Sequence, residues 1–314
     1  MGIGKTKRKI IKLVLIIGIL LISYYYFIPI LRTFPSNNGT ISDKFGILEI
    51  YPTKPGGREW FLNMYNPNDD PGFEAGSNIT RQLDGTWQIG VRLNNSKYDG
   101  EVRLAVVQLP GSELWKNVEM TGYAKIIPAM NPNDSLVWFA RGGRHNNTVP
   151  CEGTSLKGGI DINGTVSWMK EIWHTGGYTG KRGEEQVTSS IVGRWIGWKV
   201  VMYNINNNTA VKMESYLDDK ANNHWLKVAD LIDNGGWYAN SPDSEFYSAN
   251  CGKPKDYVIT NGGPIAIFRS DNMTWNFKDL SVREIQPPSS PLFVFYLRFL
   301  RMSSFVSNIC YVIV

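Results

Sequence analysis

From Arg194 to Trp237 the chain deals its side chains alternately to two faces, strand after strand, and a helical period fits none of it. Trp195, Trp198, Val200 and Met202 lead to Tyr203, and the turn Asn206-Asn207-Asn208 follows. Val211, Met213, Ser215 and Leu217 then alternate with Lys212, Glu214 and Tyr216. After the polar turn Asp218-Asp219-Lys220-Ala221-Asn222-Asn223 comes Trp225-Leu226-Lys227-Val228, so patterning and turn chemistry agree on three consecutive antiparallel strands.

The same reading extends along the chain. It predicts strands over 45–51, 60–65, 85–93, 101–108, 118–127, 136–141, 156–162, 166–173, 195–205, 210–218, 225–231, 257–269 and 275–285, punctuated by Gly, Asn, Asp and Pro. The fold class expected is all-β, an antiparallel β-sandwich of the jelly-roll type, following an N-terminal transmembrane helix. Asn163-Gly164 fits a two-residue type I′ hairpin turn. Glu184-Glu185 stands in a Gly/Lys/Arg-containing segment that reads as a loop.

The N-terminus carries Lys5, Lys7, Arg8, Lys9 and Lys12 and then runs apolar to about Leu31, long enough to cross a bilayer with the basic flank in the cytoplasm. An uncleaved anchor over 1–32 is expected, because no small-x-small site follows the apolar core cleanly; a cleaved signal peptide is the alternative. A polar linker over 33–44 and one domain over 45–286 follow, and Pro287-Pro288-Ser289-Ser290-Pro291 opens a hydrophobic tail, 287–314, interrupted by Arg298 and Arg301. That tail reads as a membrane-surface segment or a poor second span. The expected location is the cell membrane, single-pass, with the main domain outside. Sequons at Asn38, Asn78, Asn94, Asn133, Asn146, Asn163, Asn207 and Asn272 suit a glycoprotein there. In that setting Cys151 and Cys251 are expected to form a disulfide, two separate buried thiols being the alternative. The net charge of +5 owes much to the two ends, and the nearly balanced middle excludes a concentrated nucleic-acid footprint.

Gly193-Arg194-Trp195-Ile196-Gly197-Trp198-Lys199-Val200, then Val211 to Asp218, then Trp225-Leu226-Lys227-Val228, resemble the concanavalin A-like lectin/glucanase superfamily. Lectins, laminarinase-like hydrolases and polysaccharide lyases of the alginate- and glucuronan-lyase kind share that jelly roll. The resemblance implies a polysaccharide or glycan partner on a concave sheet lined by aromatic and basic side chains. Trp138, Trp168 and Trp198, with Arg141, are the substrate-binding candidates, since flat rings stack on sugar faces; burial in the core is the ordinary fate of such tryptophans.

Ionisable residues concentrate in Arg141-Gly142-Gly143-Arg144-His145 and in Lys170 to Tyr178, which together hold two of the three histidines. Strand alternation from Val166 puts Trp168, Lys170, Ile172 and His174 on one face, so Lys170 and His174 are expected to share a groove. A β-eliminating lyase needs a carboxylate clamp, a base and an acid: here Arg144, His145 or His174, and Tyr178, with Lys170 beside them. The lyase signatures Arg-x-Glu-x-Arg and Gln-x-His do not occur, nor does the laminarinase-type Glu-x-x-Asp-x-x-Glu. A lectin-like or structural surface protein needs none of this chemistry. No cofactor is expected; structural calcium at Asn66-Pro67-Asn68-Asp69-Asp70 or Asp218-Asp219 lacks an EF-hand ligand order, and solvated turns are the simpler reading. No Cys/His spacing resembles a zinc site.

Overall fold

The computed structural model describes residues 41–288, apart from 91–92, 95–96, 99–100, 130, 132–133, 144–152, 175–176 and 241–252. The expected anchor 1–32, the tail beyond 288, Arg144, His145, Cys151 and Cys251 lie outside the described residues.

In chain order the strands are β1 (Glu59–Phe61), β2 (Phe73–Ala75), β3 (Ile79–Arg81), β4 (Trp87–Ile89), β5 (Leu93–Asn94), β6 (Lys97–Tyr98), β7 (Glu101–Val106), β8 (Val118–Ala129) and β9 (Ser135–Gly142). They continue with β10 (Ser155–Asp161), β11 (Thr165–Glu171), β12 (Arg182–Gln186), β13 (Trp195–Ile205), β14 (Ala210–Asp218), β15 (Leu226–Asp233), β16 (Ile265–Asp271) and β17 (Met273–Glu284). One eight-stranded sheet runs β15-β14-β13-β8-β17-β4-β3, with β1 also on β17; a seven-stranded sheet runs β12-β11-β10-β9-β16-β7-β2. Their pairings are antiparallel. The all-β antiparallel sandwich expected from the sequence is therefore the fold.

Period-two alternation assigns the faces. On β13, Ile196, Trp198, Val200 and Met202 enter the inner layer, as do Leu136, Trp138 and Ala140 of β9 and Ala266 and Phe268 of β16. β13 and β14 have the boundaries that alternation predicts. Elsewhere local chemistry changes the outcome. Arg182–Gln186 is a strand, not a loop: β12 is an edge strand, exposed throughout, with no apolar stripe to announce it. The β10–β11 hairpin turns through Ile162-Asn163-Gly164 rather than a two-residue I′ turn. The Gly164 N–H donates to Asp161 O at 2.8 Å and only Gly164 takes positive φ, 92°. The 257–269 run becomes a strand only from Ile265, beyond Gly262-Gly263-Pro264.

The expected strand 45–51 is instead a strap across the outer face of the eight-stranded sheet. Asp43 Oδ1 accepts from Phe45 N and Ile47 N, and Gly46 turns the chain at φ 76°. The strap is fastened by side chains rather than a ladder: Lys199 donates to Leu48 O at 2.6 Å, and Ile50 N and Tyr51 N donate to Glu119 Oε2 at 3.1 and 3.2 Å. Glu119 also meets Lys199 Nζ at 2.6 Å and Arg283 Nη2 at 2.9 Å, and Arg283 Nη1 reaches Glu49 at 2.9 Å. Ile47 packs with Tyr123, Tyr203, Tyr216 and Trp225 beneath it.

Burial alone pushes the Glu119 carboxyl up, but Lys199, Arg283 and the donated hydrogen bonds outweigh it and hold it below its ordinary 4.5. With the folded value depressed, the unfolded chain binds the extra proton, so this stabilisation is present above pH 4.5 and is lost as the pH falls through the folded value. Thermal unfolding across pH 2–6 therefore shows an acid limb that Glu119→Gln flattens; an unchanged limb would remove the strap network as its source.

Candidate functional site

Alternation on the seven-stranded sheet sends Ser167 and Met169 of β11, Lys157, Gly159 and Asp161 of β10, Ser135 and Val137 of β9, and Arg269 and Asp271 of β16 away from the inner layer, where they line one groove of about 200 Å³. Its floor is Gly159, directly opposite Val137 on one side and Ser167 on the other. Two ion pairs flank the floor. Lys181 Nζ lies 3.2 Å from Asp161 Oδ2, and Arg269 Nη2 lies 2.7 Å from Asp271 Oδ1, with Ser135 Oγ donating to Asp271 Oδ2 at 3.4 Å. Burial raises the Asp161 carboxyl from its ordinary value against the opposing pull of Lys181.

The face continues across β16. Arg269 stands opposite Arg103 of β7, and Arg103 lines a second hollow, about 280 Å³, with Glu74, Ala105, Ile265 and Ile267. The two hollows thus meet at neighbouring arginines on one sheet surface.

A buried charged cluster adjoins the first hollow. Lys157 Nζ contacts Glu171 Oε2 at 2.5 Å and lies 5.1 Å from the Phe139 ring centroid and 4.9 Å from that of Tyr178. Ser155 Oγ donates to Glu171 Oε2 at 3.3 Å. His174 Nδ1 is 3.5 Å from both Glu171 Oε1 and the Tyr178 hydroxyl. The arrangement holds an imidazole between a carboxylate and a phenol.

His174 and Tyr178 are thus brought together as the sequence implies, but Lys170 does not join them. β11 ends at Glu171, so alternation stops before His174, and Lys170 points into the layer between the sheets. There its ammonium, wholly buried, meets Asp233 Oδ2 of β15 at 2.9 Å and donates to Tyr257 O at 2.8 Å. Burial pushes that ammonium down from its ordinary value, against Asp233. Glu171, on the face opposite Lys170, and Lys157 and Asp161, which the sequence does not single out, occupy the place expected of Lys170; the signal of all three was the parity of their strands. Trp138, Trp168 and Trp198 are each 0% exposed and belong to the core, with no ring face open to a ligand. Arg141 is also buried and lines a separate cavity. Glu184 and Glu185 lie on exposed β12.

The two acidic turns are occupied by protein donors. Asp70 accepts from Trp60 Nε1 and Gly72 N, and Asp218 accepts from Asn222 N, Asn223 N and the Tyr123 hydroxyl. Among the described residues no group of three or more His, Cys, Asp or Glu side chains is placed to hold a metal ion.

No family model matches the chain, and no curated protein matches it. Among solved structures it is similar to the carbohydrate-binding module CBM66 from Bacillus subtilis, at 12% identity over 68% of this chain and 95% of that one, TM-score 0.38. It is also similar to basic winged bean lectin (10% identity, 72% and 97% covered, TM-score 0.41) and to a Bacillus subtilis protein of unknown function with a galectin-like fold (10%, 76% and 100%, 0.41). At these scores the architecture rests on the strand register above, not on the likenesses.

Because Lys170 belongs to the core, Lys170→Met strands Asp233 and lowers stability by about 3–5 kcal/mol, and Lys170→Met/Asp233→Leu recovers most of that loss. Chemical denaturation of the two variants checks this; equal stability of single and double variants would contradict it.

Proposed function

We propose that this chain is a carbohydrate-binding protein whose ligand lies across the outer face of the seven-stranded sheet. The observation that carries this is the pair of hollows meeting at Arg269 and Arg103. Sugar hydroxyls both donate and accept, and the first hollow offers carboxylates, cations and the Ser135 hydroxyl around an apolar floor of Gly159, Val137 and Met169. Its volume equals that of about seven waters at ~30 Å³ each, on the scale of a sugar ring, and the neighbouring hollow suits the next residue of a chain. The resemblance of 193–228 to the concanavalin A-like superfamily points the same way. In this reading the apolar segment 1–32 holds the domain on the outside of a cell membrane.

A second reading, eliminative cleavage of a uronate polymer, is favoured by one observation: the contact of His174 with Tyr178 at 3.5 Å, beside Glu171. His174 is then the base that takes the C5 proton, oriented by Glu171, and Tyr178 the acid that protonates the leaving oxygen. Arg144 as carboxylate clamp and His145 as alternative base complete this scheme as proposals from the sequence.

Retention of the purified chain on a panel of immobilised neutral and acidic polysaccharides tests the first reading. At least one glycan retains the protein, and Arg269→Met or Lys181→Met weakens that retention about tenfold, the worth of one charge-assisted hydrogen bond. Retention by no glycan, or retention indifferent to both substitutions, would overturn it. Absorbance near 235 nm during incubation with uronate polymers, against a His174→Ala control, decides whether binding is followed by elimination.

A further inference from the structure

Five long cationic side chains are fully buried among the described residues: Arg141, Lys157, Lys170, Lys199 and Arg283. Four of them touch a carboxylate: Lys157 with Glu171, Lys170 with Asp233, Lys199 with Glu119, and Arg283 with Glu49 and Glu119. A charge taken out of water needs such compensation. Arg141 is the exception. Its Nη1 donates to Asn204 Oδ1 at 2.6 Å and Ile259 O at 2.8 Å, its Nη2 to Asn117 Oδ1 at 3.4 Å, and its Nε–H meets no acceptor. Among the described residues all its partners are neutral. Burial pushes the guanidinium down from its ordinary value, and no charge among the described residues pushes it back.

The backbone puts Arg141 there on purpose of geometry rather than by alternation. Parity along β9 would send it outward with Val137 and Phe139. Between Phe139 and Gly142, however, β9 spends one more residue than its partner β16 does between Ile267 and Ile265, and Arg141 takes φ 66°. Such a bulge re-aims a side chain, and a non-glycine residue takes positive φ only at a conformational cost. The re-aimed arginine reaches Asn204 on β13 of the opposite sheet, at the end of the sandwich.

A cavity of about 240 Å³ opens at this end, and Arg141 and Lys253 both line it. Lys253, half-buried, also has neutral partners among the described residues: its ammonium donates to Thr154 Oγ1 at 2.8 Å and Ile172 O at 3.4 Å, and burial lowers its pKa. Close backbone approach shapes the wall. A Cβ on Gly263 would stand 2.3 Å from the Arg141 carbonyl carbon, and one on Gly142 would stand 2.8 Å from Thr154 O. The Tyr257 ring, 5.5 Å from Lys253 Nζ, closes another side.

We propose that this cavity is a binding site for a small oxyanion group, a carboxylate, sulfate or phosphate, held between Arg141 and Lys253. The anion supplies the negative charge that the other four buried cations obtain from Asp or Glu, and it accepts from the remaining Lys253 N–H. The site stands independently of what lies on the sheet face, because no ion pair of the groove takes part in it.

The test is calorimetric titration of the full chain with sodium sulfate, sodium phosphate and sodium acetate, at ionic strength held constant with sodium chloride. The expected result is saturable binding of at least one of the three, and their order identifies the natural group. Lys253→Met weakens that binding about tenfold or more, Lys253→Arg retains it, and Lys220→Met, the same charge change on an exposed turn, leaves it intact. Absence of saturation with all three salts overturns the proposal, as does binding that survives Lys253→Met or falls equally in Lys220→Met. Chloride-matched thermal unfolding of the same variants keeps loss of folding distinct from loss of binding.

Discussion

Lys170 and Asp233 meet at 2.9 Å between the two sheets, both wholly buried, and that contact fixes which way β11 faces. A slip of one residue would turn Lys170 out and carry Glu171, Met169 and Ser167 into the apolar layer. Trp168 and Val166 add their burial to the same choice. With β11 so oriented, register sets Lys157 opposite Met169 and Gly159 opposite Ser167. The groove and its adjoining cluster therefore follow from the facing of β11, which Trp168, Val166 and the Lys170–Asp233 pair set together.

The two outer faces meet different fates. On the eight-stranded sheet the strap through Phe45 and Ile47 lies over Tyr123, Tyr203, Tyr216 and Trp225, and Lys199, Glu119 and Arg283 fasten it. Aromatic rings abundant enough to serve a ligand are used there to seal the protein's own chain. On the seven-stranded sheet the residues around Gly159 are smaller and more polar, and hollows remain. Charge is managed differently as well: internal pairs satisfy Lys157, Lys170 and Lys199, whereas the end of the sandwich leaves Arg141 and Lys253 facing one cavity with neutral partners.

Alternation made the sandwich legible, because β13 carries an uninterrupted apolar face and the apolar face of β14 is broken only by Ser215. It failed where another force sets the backbone. β12 is polar on both sides because it borders the sheet, so it left no stripe to read. The strap carries strand-like residues but spends its donors on Asp43 and Glu119. The candidate site was half legible: His174 and Tyr178 stand only four positions apart, while the face that carries Trp168 and Lys170, read as the groove, packs into the layer between the sheets, and His174 lies past the end of β11, where its parity no longer applies. Tryptophan identity could not separate core from surface, since a ring suited to a sugar is equally suited to the layer between two sheets. The bulge that re-aims Arg141 depends on Gly142 and Gly263 packing across 121 positions of sequence, a contact no local pattern reveals.

The central claim, that the ligand lies over Gly159, is tested most directly by filling the groove from its floor. A Cβ at Gly159 meets only ordinary contacts, the nearest being Val137 Cγ2 at 3.5 Å, so Gly159→Val adds bulk to the hollow without disturbing the core, and a β-branched residue suits the strand. Glycan affinity of this variant, measured beside its unfolding midpoint, should fall about tenfold or more while stability holds or rises. Undiminished affinity in a stably folded Gly159→Val protein would place the ligand elsewhere and contradict the account.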